Sequence, residues 1–113
     1  MVHKKNGFKK ILGQFIKETK KRIPIQKIIL FGSYARGTPK KYSDIDIAVI
    51  SPEFARMNEF TRIKLLLDCV HQIKYELSFD IEPFGFTPQE YENSSYFDFL
   101  SVIKKTGKVV YLS

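Results

Sequence analysis

The hydrophobic pattern of the first third of the chain predicts a helix and then a buried strand. Apolar residues recur at helical spacing over about residues 7–21, and Pro24 ends this helix. Residues 27–31, Lys-Ile-Ile-Leu-Phe, form a short and largely apolar run that stops at Gly32, which is typical of a strand buried in a sheet. We therefore expect the chain to enter the core of a sheet directly after an amphipathic helix.

Strand and helix patterns continue to alternate along the rest of the chain. Period-two alternation or short apolar runs predict three further strands, over residues 43–50, 79–84 and 108–112. Apolar residues at helical spacing predict a long helix between residues 53 and 77. Thr87, Pro88 and Glu90 form a good helix start, and a last helix ends at Gly107. The order α-β-β-α-β-α-β predicts an α+β fold, in which a small mixed sheet of about four strands is flanked by helices.

Length and composition agree with a single small domain over residues 1–113. With 43% hydrophobic residues, ten Phe and six Tyr, the chain can build a core without disulfides or a structural metal. Cys69 is the only cysteine, so an internal disulfide is impossible, and no group of residues has the spacing of zinc ligands. Apolar runs are too short to span a membrane, and lysines interrupt any signal-peptide core, so we expect a cytoplasmic protein.

The net charge of +7 is concentrated at the amino-terminal end of the chain. Residues 1–27 contain nine basic side chains and one acidic side chain, Glu18, whereas residues 28–113 contain ten basic and eleven acidic ones. A basic segment of this kind can bind a nucleic acid or an acidic protein, and it can equally be the solvated face of a terminal helix. The prediction of a nucleic-acid partner is based on this segment alone.

Residues 32–37, Gly-Ser-Tyr-Ala-Arg-Gly, follow the first predicted strand and are the first candidate for chemistry. Gly32 at the end of a strand lets backbone N–H groups approach an anion closely, and a short helix that begins at Ser33 would point its dipole at the same place. Alone this is a weak signal, because the segment is neither a Walker loop nor a dinucleotide-binding fingerprint. It becomes informative with the acidic residues that follow it.

Asp44 and Asp46 are the second candidate, since both stand in a strand that is otherwise apolar. Alternation places their carboxylates on one face, about 6–7 Å apart at Cα, where they repel each other. Two divalent cations ~3.5–4 Å apart would remove the repulsion and create a site for phosphoryl transfer. Oxygen ligands favour Mg²⁺ over zinc or copper. The structural alternative is an edge strand whose aspartates pair with Lys40, Lys41 or Arg36.

A third acid in the next predicted strand favours the metal site over the structural alternative. Asp80 and Glu82 share one face of that strand, and either of them would complete a cluster of three carboxylates if the two strands are neighbours. We prefer Asp80, because its place just inside the strand resembles that of Asp44, and we keep Glu82 as the alternative. The expected catalytic and metal-binding residues are therefore Asp44, Asp46 and Asp80.

Gly32-Ser33, ten intervening residues and then Asp44-x-Asp46 resemble the signature of the DNA polymerase β-like nucleotidyltransferases, Gly-Ser-x10-Asp-x-Asp. Three longer strings are similar to the minimal nucleotidyltransferase (MNT) subgroup of that superfamily: Phe31-Gly-Ser-Tyr-Ala-Arg-Gly37, Ser43-Asp-Ile-Asp-Ile47 and Ile103-Lys-Lys-Thr-Gly-Lys-Val-Val-Tyr111. The resemblance spans residues 8–112, and the combined motif is highly specific.

The resemblance implies an enzyme that binds a nucleoside triphosphate, ATP, with Gly32 and Ser33 against its β- and γ-phosphates. The positions of Asp44, Asp46 and Asp80 are implied to hold two Mg²⁺ ions. An acceptor hydroxyl then attacks the α-phosphorus in line and pyrophosphate leaves, while the metals neutralise the charge that develops. In the family the position of Asp80 is nearest the attacking hydroxyl, so the same residue is implied as a base.

Through its similarity to minimal nucleotidyltransferases, the chain resembles the antitoxin half of toxin–antitoxin pairs whose toxin is a helical HEPN ribonuclease. The implied reaction is transfer of AMP from ATP to a tyrosine of that toxin. Two alternatives stay open: a non-catalytic antitoxin that neutralises its toxin by binding, and a nucleotidyltransferase that acts on RNA or on a small molecule. The catalytic core uses up the chain, so we expect acceptor specificity to come from a partner's surface, with the basic first helix as a candidate for that contact.

Arg36 and the aromatic residues near the end of the chain are left outside the expected site. Arg36 could steady a phosphate or pair with Asp44, and the sequence does not separate the two roles. The late aromatic residues are dense enough to predict a hydrophobic contact surface, and Tyr91 and Tyr96 are also candidates for stacking on a base.

Overall fold

The fold is a four-stranded mixed sheet with helices on both faces, seen in a computed structural model that describes residues 4–39, 44–73, 80–94 and 98–113. The strands are β1 (Lys27–Phe31), β2 (Ile45–Ile50), β3 (Ile81–Phe86) and β4 (Lys108–Leu112). Their order is β3-β2-β1-β4, with β1 antiparallel to β2 and β4 and with β2 parallel to β3. The predicted α+β class and the mixed sheet are confirmed.

The described part of the chain also contains five α-helices and one 3-10 helix. They are α1 (Lys4–Arg22), α2 (Ser33–Arg36), the 3-10 helix (Pro52–Arg56), α3 (Glu59–His71), α4 (Pro88–Glu92) and α5 (Phe99–Thr106). α1 and α3 pack on one face of the sheet, where Phe15 and Leu66 are completely buried. α5 covers the other face through Leu100 and Ile103. No helix in the described ranges combines the length and the apolar composition that crossing a membrane requires.

The predicted bounds are confirmed for the strands β1 and β4 and differ for β2 and β3. β2 begins at Ile45, so Asp44, which was expected inside this strand, precedes it. Residues 27–31 and 108–112 form strands with the predicted bounds. β3 runs to Phe86, beyond the predicted end at residue 84, because it pairs with β2 along its whole length. The predicted starts of β2 and β3, residues 43 and 79, lie outside the described residues.

The single long helix predicted between residues 53 and 77 is wrong, because the chain forms two elements there. The 3-10 helix is capped by Ser51, whose hydroxyl accepts a hydrogen bond from the Glu53 amide (3.2 Å) and donates one to the carbonyl of Pro24 (2.6 Å). The side chain of Asn58 then caps the amino terminus of α3. Two caps therefore interrupt the periodicity, and the end of the predicted helix lies outside the described residues.

The last predicted helix is divided into α4 and α5. Thr87 caps α4 in the predicted way, since its hydroxyl accepts a hydrogen bond from the Glu90 amide (3.0 Å) and the Glu90 carboxylate accepts one from the Thr87 amide (2.7 Å). A second cap begins α5, where the carboxylate of Asp98 accepts a hydrogen bond from the Ser101 amide (2.9 Å). Residues 95–97, between the two helices, lie outside the described residues.

Arg62 joins four elements at one edge of the sheet. Its Nε donates to the carbonyls of Phe54 (3.0 Å) and Met57 (3.1 Å). Its Nη1 donates to the carbonyl of Gly85 (3.2 Å) and to the carboxylate of Glu90 (2.7 Å). Burial alone would raise the pKa of Glu90, but its hydrogen bond with Arg62, the α4 cap and the guanidinium charge lower it below its ordinary value. One side chain, of which only 12% is exposed, therefore connects the 3-10 helix, α3, β3 and α4.

Replacing Arg62 with Ala should lower the free energy of unfolding by roughly 2–3 kcal/mol, because three carbonyl groups and a carboxylate lose a charged donor. Urea unfolding followed by circular dichroism measures this change. Lys64→Ala, at an exposed position of the same helix, is the control and should change the free energy by less than about 0.5 kcal/mol. Equal values for the two variants would show that Arg62 does not hold these elements together.

Candidate active site

Two of the acids predicted to carry chemistry, Asp44 and Asp46, meet Glu82, the alternative to Asp80, at the end of the sheet where β1 ends and β2 and β3 begin. Phe31 of β1 pairs with Asp46 of β2, and Asp46 pairs with Glu82 of β3. Residues paired across neighbouring strands project from the same face, and these three side chains line one cavity. The edge-strand part of the structural alternative is wrong, since β2 lies between β1 and β3. Its pairing with Lys40 or Lys41 lies outside the described residues.

The turn after β1 brings the backbone against the carboxylate of Asp46. Gly32 has φ 76° and ψ −155°, a conformation that only glycine adopts readily. A Cβ at this position would collide with the carboxylate of Asp46. α2 begins at Ser33, as the sequence predicts, and Gly37 ends it with φ 76° and ψ 19°. Glycine is therefore required at position 32 both by the backbone and by the neighbouring acid.

Burial and like charge act together on Asp46. Its burial, the carboxylate of Glu82 and the carboxylate of Asp44 raise its pKa to about 6, and the guanidinium of Arg36 opposes this rise. Burial also raises the pKa of Glu82, followed by the charge of Asp44 and a hydrogen bond with its side chain. The three carboxylates are therefore close enough to repel one another, and a bound cation or proton would relieve the repulsion.

Asp80 and Glu82 occupy different places relative to Asp44 and Asp46, although both are exposed. Asp80 precedes β3 as Asp44 precedes β2, and its carbonyl accepts a hydrogen bond from the amide of Ile45 (2.7 Å). Glu82 lies within β3, level with Asp46, and its charge raises the pKa of that residue. These contacts favour Glu82 as the third carboxylate of the cluster, and the preference for Asp80 stays a prediction.

The donor set of this cluster fits a hard divalent cation such as Mg²⁺. Asp44, Asp46 and Glu82 offer only oxygen ligands, and a cation would remove the repulsion that raises the pKa of Asp46 and of Glu82. Within residues 4–39, 44–73, 80–94 and 98–113, no three His, Cys, Asp or Glu side chains form a ready-made metal site. The Mg²⁺ assignment therefore stays a prediction.

A cavity of about 350 Å³ extends from these acids across the face of the sheet that α5 covers. Its lining residues are Phe31, Gly32, Arg36, Asp46, Glu82, Phe84, Phe99, Val102 and Thr106. Sequence reasoning left Arg36 outside the site, although its place in the glycine-rich segment was a signal for it. Phe99 was missed as a site residue because its place depends on how α5 packs, which no local pattern specifies.

The remaining candidates are accounted for elsewhere. Tyr91 packs under the ammonium groups of Lys27 and Lys104, which lie 5.0 and 5.1 Å from its ring centre, so lysines already cover this ring. Three others lie outside the described residues: Lys40, Lys41 and Tyr96. The prediction of an apolar contact surface has some support in the exposed side chains of Phe99 and Val102.

One acid within a central strand, a second directly before it, a third on its parallel neighbour and a glycine turn beside them are the arrangement of a nucleotidyltransferase. The model of the nucleotidyltransferase domain family matches residues 12–106. The chain belongs to this family, as one of its minimal nucleotidyltransferases. A Methanocaldococcus jannaschii protein provisionally named a protein adenylyltransferase is 33% identical over 103 residues, 89% of this chain and 69% of that protein. The protein adenylyltransferase MntA of Thermococcus cleftensis is 33% identical over 67 residues, 59% of this chain and 68% of that protein.

Solved structures show the same fold. A chain of a toxin–antitoxin complex with AMP-PNP has a TM-score of 0.64 and 26% identity, covering 89% of this chain and 73% of its own length. A provisionally assigned nucleotidyltransferase from Sulfolobus solfataricus has a TM-score of 0.66 and 20% identity, covering 91% and 78%. A chain from the complex of a tri-AMPylated Shewanella oneidensis HEPN toxin with its MNT antitoxin has a TM-score of 0.60 and 23% identity, covering 93% and 72%.

Gly32→Ala should abolish magnesium-supported binding of AMP-PNP and lower stability by about 1–3 kcal/mol, because the new methyl group meets Asp46 and the backbone is strained. Gly37→Ala is a matched control, since it has the same φ of 76° but no atom within 4 Å of the added Cβ. It should retain nucleotide binding. Calorimetric titration and urea unfolding measure the two effects, and undiminished binding by Gly32→Ala would contradict the site.

Proposed function

We propose that the protein is a Mg²⁺-dependent protein adenylyltransferase that transfers AMP from ATP to a tyrosine of a HEPN-type toxin and so acts as an antitoxin. Relatives that are 33% identical carry the name protein adenylyltransferase, and chains of the same fold occur in toxin–antitoxin complexes. The observation that carries the proposal is the meeting of Asp44, Asp46 and Glu82 beside Gly32. This arrangement can hold cations and phosphates side by side.

The triphosphate of ATP is proposed to lie against Gly32 and Ser33. The absence of a side chain at Gly32 keeps the backbone against Asp46, so phosphate oxygens can reach the backbone and any cation held by that acid. Arg36, which lines the same cavity, adds a positive charge near the polyphosphate. The turn after β1 is therefore the proposed phosphate site.

Asp44, Asp46 and an acid of the β3 region, Asp80 or Glu82, are proposed to hold two Mg²⁺ ions. Bound Mg²⁺ supplies neutralisation of the charge that develops on the phosphate oxygens. Asp46 and Glu82 lie within paired strands, and Asp44 and Asp80 lie directly before the same two strands. The sheet therefore positions the proposed ligands.

The proposed reaction is an in-line displacement at the α-phosphorus of ATP. The oxygen of the acceptor tyrosine forms a bond with this phosphorus while the bond from the phosphorus to the oxygen that bridges it to the β-phosphate breaks. The proton of the tyrosine hydroxyl passes to a carboxylate, Asp80 or Glu82. The products are an AMP–tyrosine phosphodiester and pyrophosphate.

Transfer of label from α-labelled ATP to a co-expressed HEPN-type partner tests the proposal. Asp44→Asn and Asp46→Asn should lower the rate at least about 100-fold, because each removes a charged ligand at the reacting phosphate. Asp68→Asn, at an exposed position of α3, is a matched control and should leave the rate unchanged. Transfer that persists in the β2 variants, or that is independent of Mg²⁺, would remove the active-site assignment.

Separate variants decide which acid of the β3 region takes part. Because Glu82 is level with Asp46, Glu82→Gln should lower the transfer rate at least about 100-fold, whereas Asp80→Asn should have a smaller effect. The same label-transfer assay with the same partner gives both rates. A large loss in Asp80→Asn alone would instead establish the residue preferred from the sequence, and no loss in either variant would contradict a third ligand from this strand.

The same variants separate catalysis from binding as the basis of an antitoxin. If the double variant of Asp44 and Asp46 still protects cells from the partner toxin, occlusion is sufficient and transfer is dispensable. If protection and label transfer are lost together while the complex still forms, the enzymatic function is supported. Screening RNA ends and small molecules as acceptors of the label tests the remaining alternative.

A further inference from the structure

We propose that the exposed ring of Phe99 is the platform on which the base of the nucleotide stacks, and that it sets the affinity for the nucleoside part of the substrate. The inference rests on the proposed function, because it presupposes a nucleoside triphosphate at Asp44 and Asp46. It adds a binding site for the base of ATP, which the residues proposed to bind phosphates and metal ions do not contact.

The register of the sheet places Phe99 next to the carboxylate cluster. Ala48 follows Asp46 on the same face of β2, since side chains of a strand alternate. The Phe99 ring lies 5.5 Å from the ring of Phe31 in β1 and 5.2 Å from that of Phe84 in β3, so it spans the central strand. The small side chain of Ala48 leaves room for an aromatic ring there. Phe99 therefore lies one step along the strand from Asp46, on the same face.

The residues that line the cavity suit the successive parts of a nucleoside triphosphate: its polyphosphate, its reacting phosphate with cations, and its base. Gly32 and Arg36 suit a polyanion, and the carboxylates of Asp46 and Glu82 suit cations at the reacting phosphate. The aromatic lining around Phe99 suits a flat base, because every base has a face that stacks on an aromatic ring. The cavity volume, about 350 Å³, lies within the ~300–1,000 Å³ range of small-molecule sites.

The geometry of in-line displacement assigns the ring to the nucleoside rather than to the acceptor. Gly32 lies on the β1 side of Asp46, and Glu82 lies on its β3 side. The leaving pyrophosphate and the attacking oxygen must lie on opposite sides of the α-phosphorus, so they occupy these two sides. The nucleoside stays bonded to the α-phosphorus and extends at an angle to the line that joins the attacking oxygen and the leaving pyrophosphate. In the direction along β2, such an extension reaches Phe99.

The ring is also held ready for a ligand. Edge-to-face contacts with Phe31 and Phe84 fix it from two sides, and the capped start of α5 fixes its backbone. Even so, 47% of Phe99 is exposed, more than a ring placed only for core packing would be. A ring that already packs against two others loses little conformational entropy when a base stacks on it.

Calorimetric titration of the full chain with AMP-PNP and with inorganic tripolyphosphate, each with Mg²⁺, tests the platform. Phe99→Ala and Phe99→Leu should weaken AMP-PNP binding roughly 5–100-fold, the range expected when a base loses its stacking partner. Tripolyphosphate binding should be unchanged, and Phe99→Tyr should bind AMP-PNP as the parent does. Phe60→Ala removes the same side chain from an exposed position outside the cavity and should have no effect.

The outcomes separate this inference from the function on which it rests. If the parent protein binds AMP-PNP and Phe99→Leu, folded by circular dichroism, binds it equally well, the platform is overturned while the proposed function stands. The platform is also overturned, and the proposed function stands, if Phe99→Leu lowers only the affinity for the acceptor protein in the transfer assay. If the parent protein does not bind AMP-PNP with Mg²⁺, the proposed function and the platform fail together.

Discussion

The parallel pairing of β2 with β3 is the constraint on which the site depends. It sets Glu82 level with Asp46 and so gathers like charges on one face, where burial and repulsion raise the pKa of both residues. Such a cluster costs free energy in an otherwise apolar sheet, and a ligand of opposite charge would offset that cost. Asp46 also lies on an internal strand, with β1 on one side and β3 on the other.

The sequence was informative where local chemistry decides the structure. Gly32 is recognisable from the sequence because a glycine at a strand end indicates a turn or a close approach of the backbone. Its positive φ and its contact with Asp46 agree with this interpretation. The alternation around Asp46 was equally clear, since a buried strand has few reasons to contain aspartate. Thr87 and its capping partner were recognised for the same reason, as a side chain and an amide only three residues apart.

Long-range packing decided what the sequence left open. The choice between Asp80 and Glu82 depends on how far β3 slides along β2, which alternation within one strand cannot specify. The break before α3 was missed because apolar periodicity continues across it, whereas Ser51 and Asn58 act through caps that interrupt the backbone. Phe99 belongs to the site only because α5 crosses the sheet beside Phe31, a contact between residues far apart in the chain.

The guanidinium of Arg62 has a consequence beyond stability. It bonds to the carbonyl of Gly85 from outside the sheet, while Phe54 packs where a side chain at Gly85 would stand, so β3 is pinned at one longitudinal position. A slip of this strand by a single residue would turn Glu82 to the opposite side and set Ile81 or Pro83 level with Asp46. Arg62 therefore helps to hold the register on which the acidic cluster depends, although its own side chain is no part of that cluster.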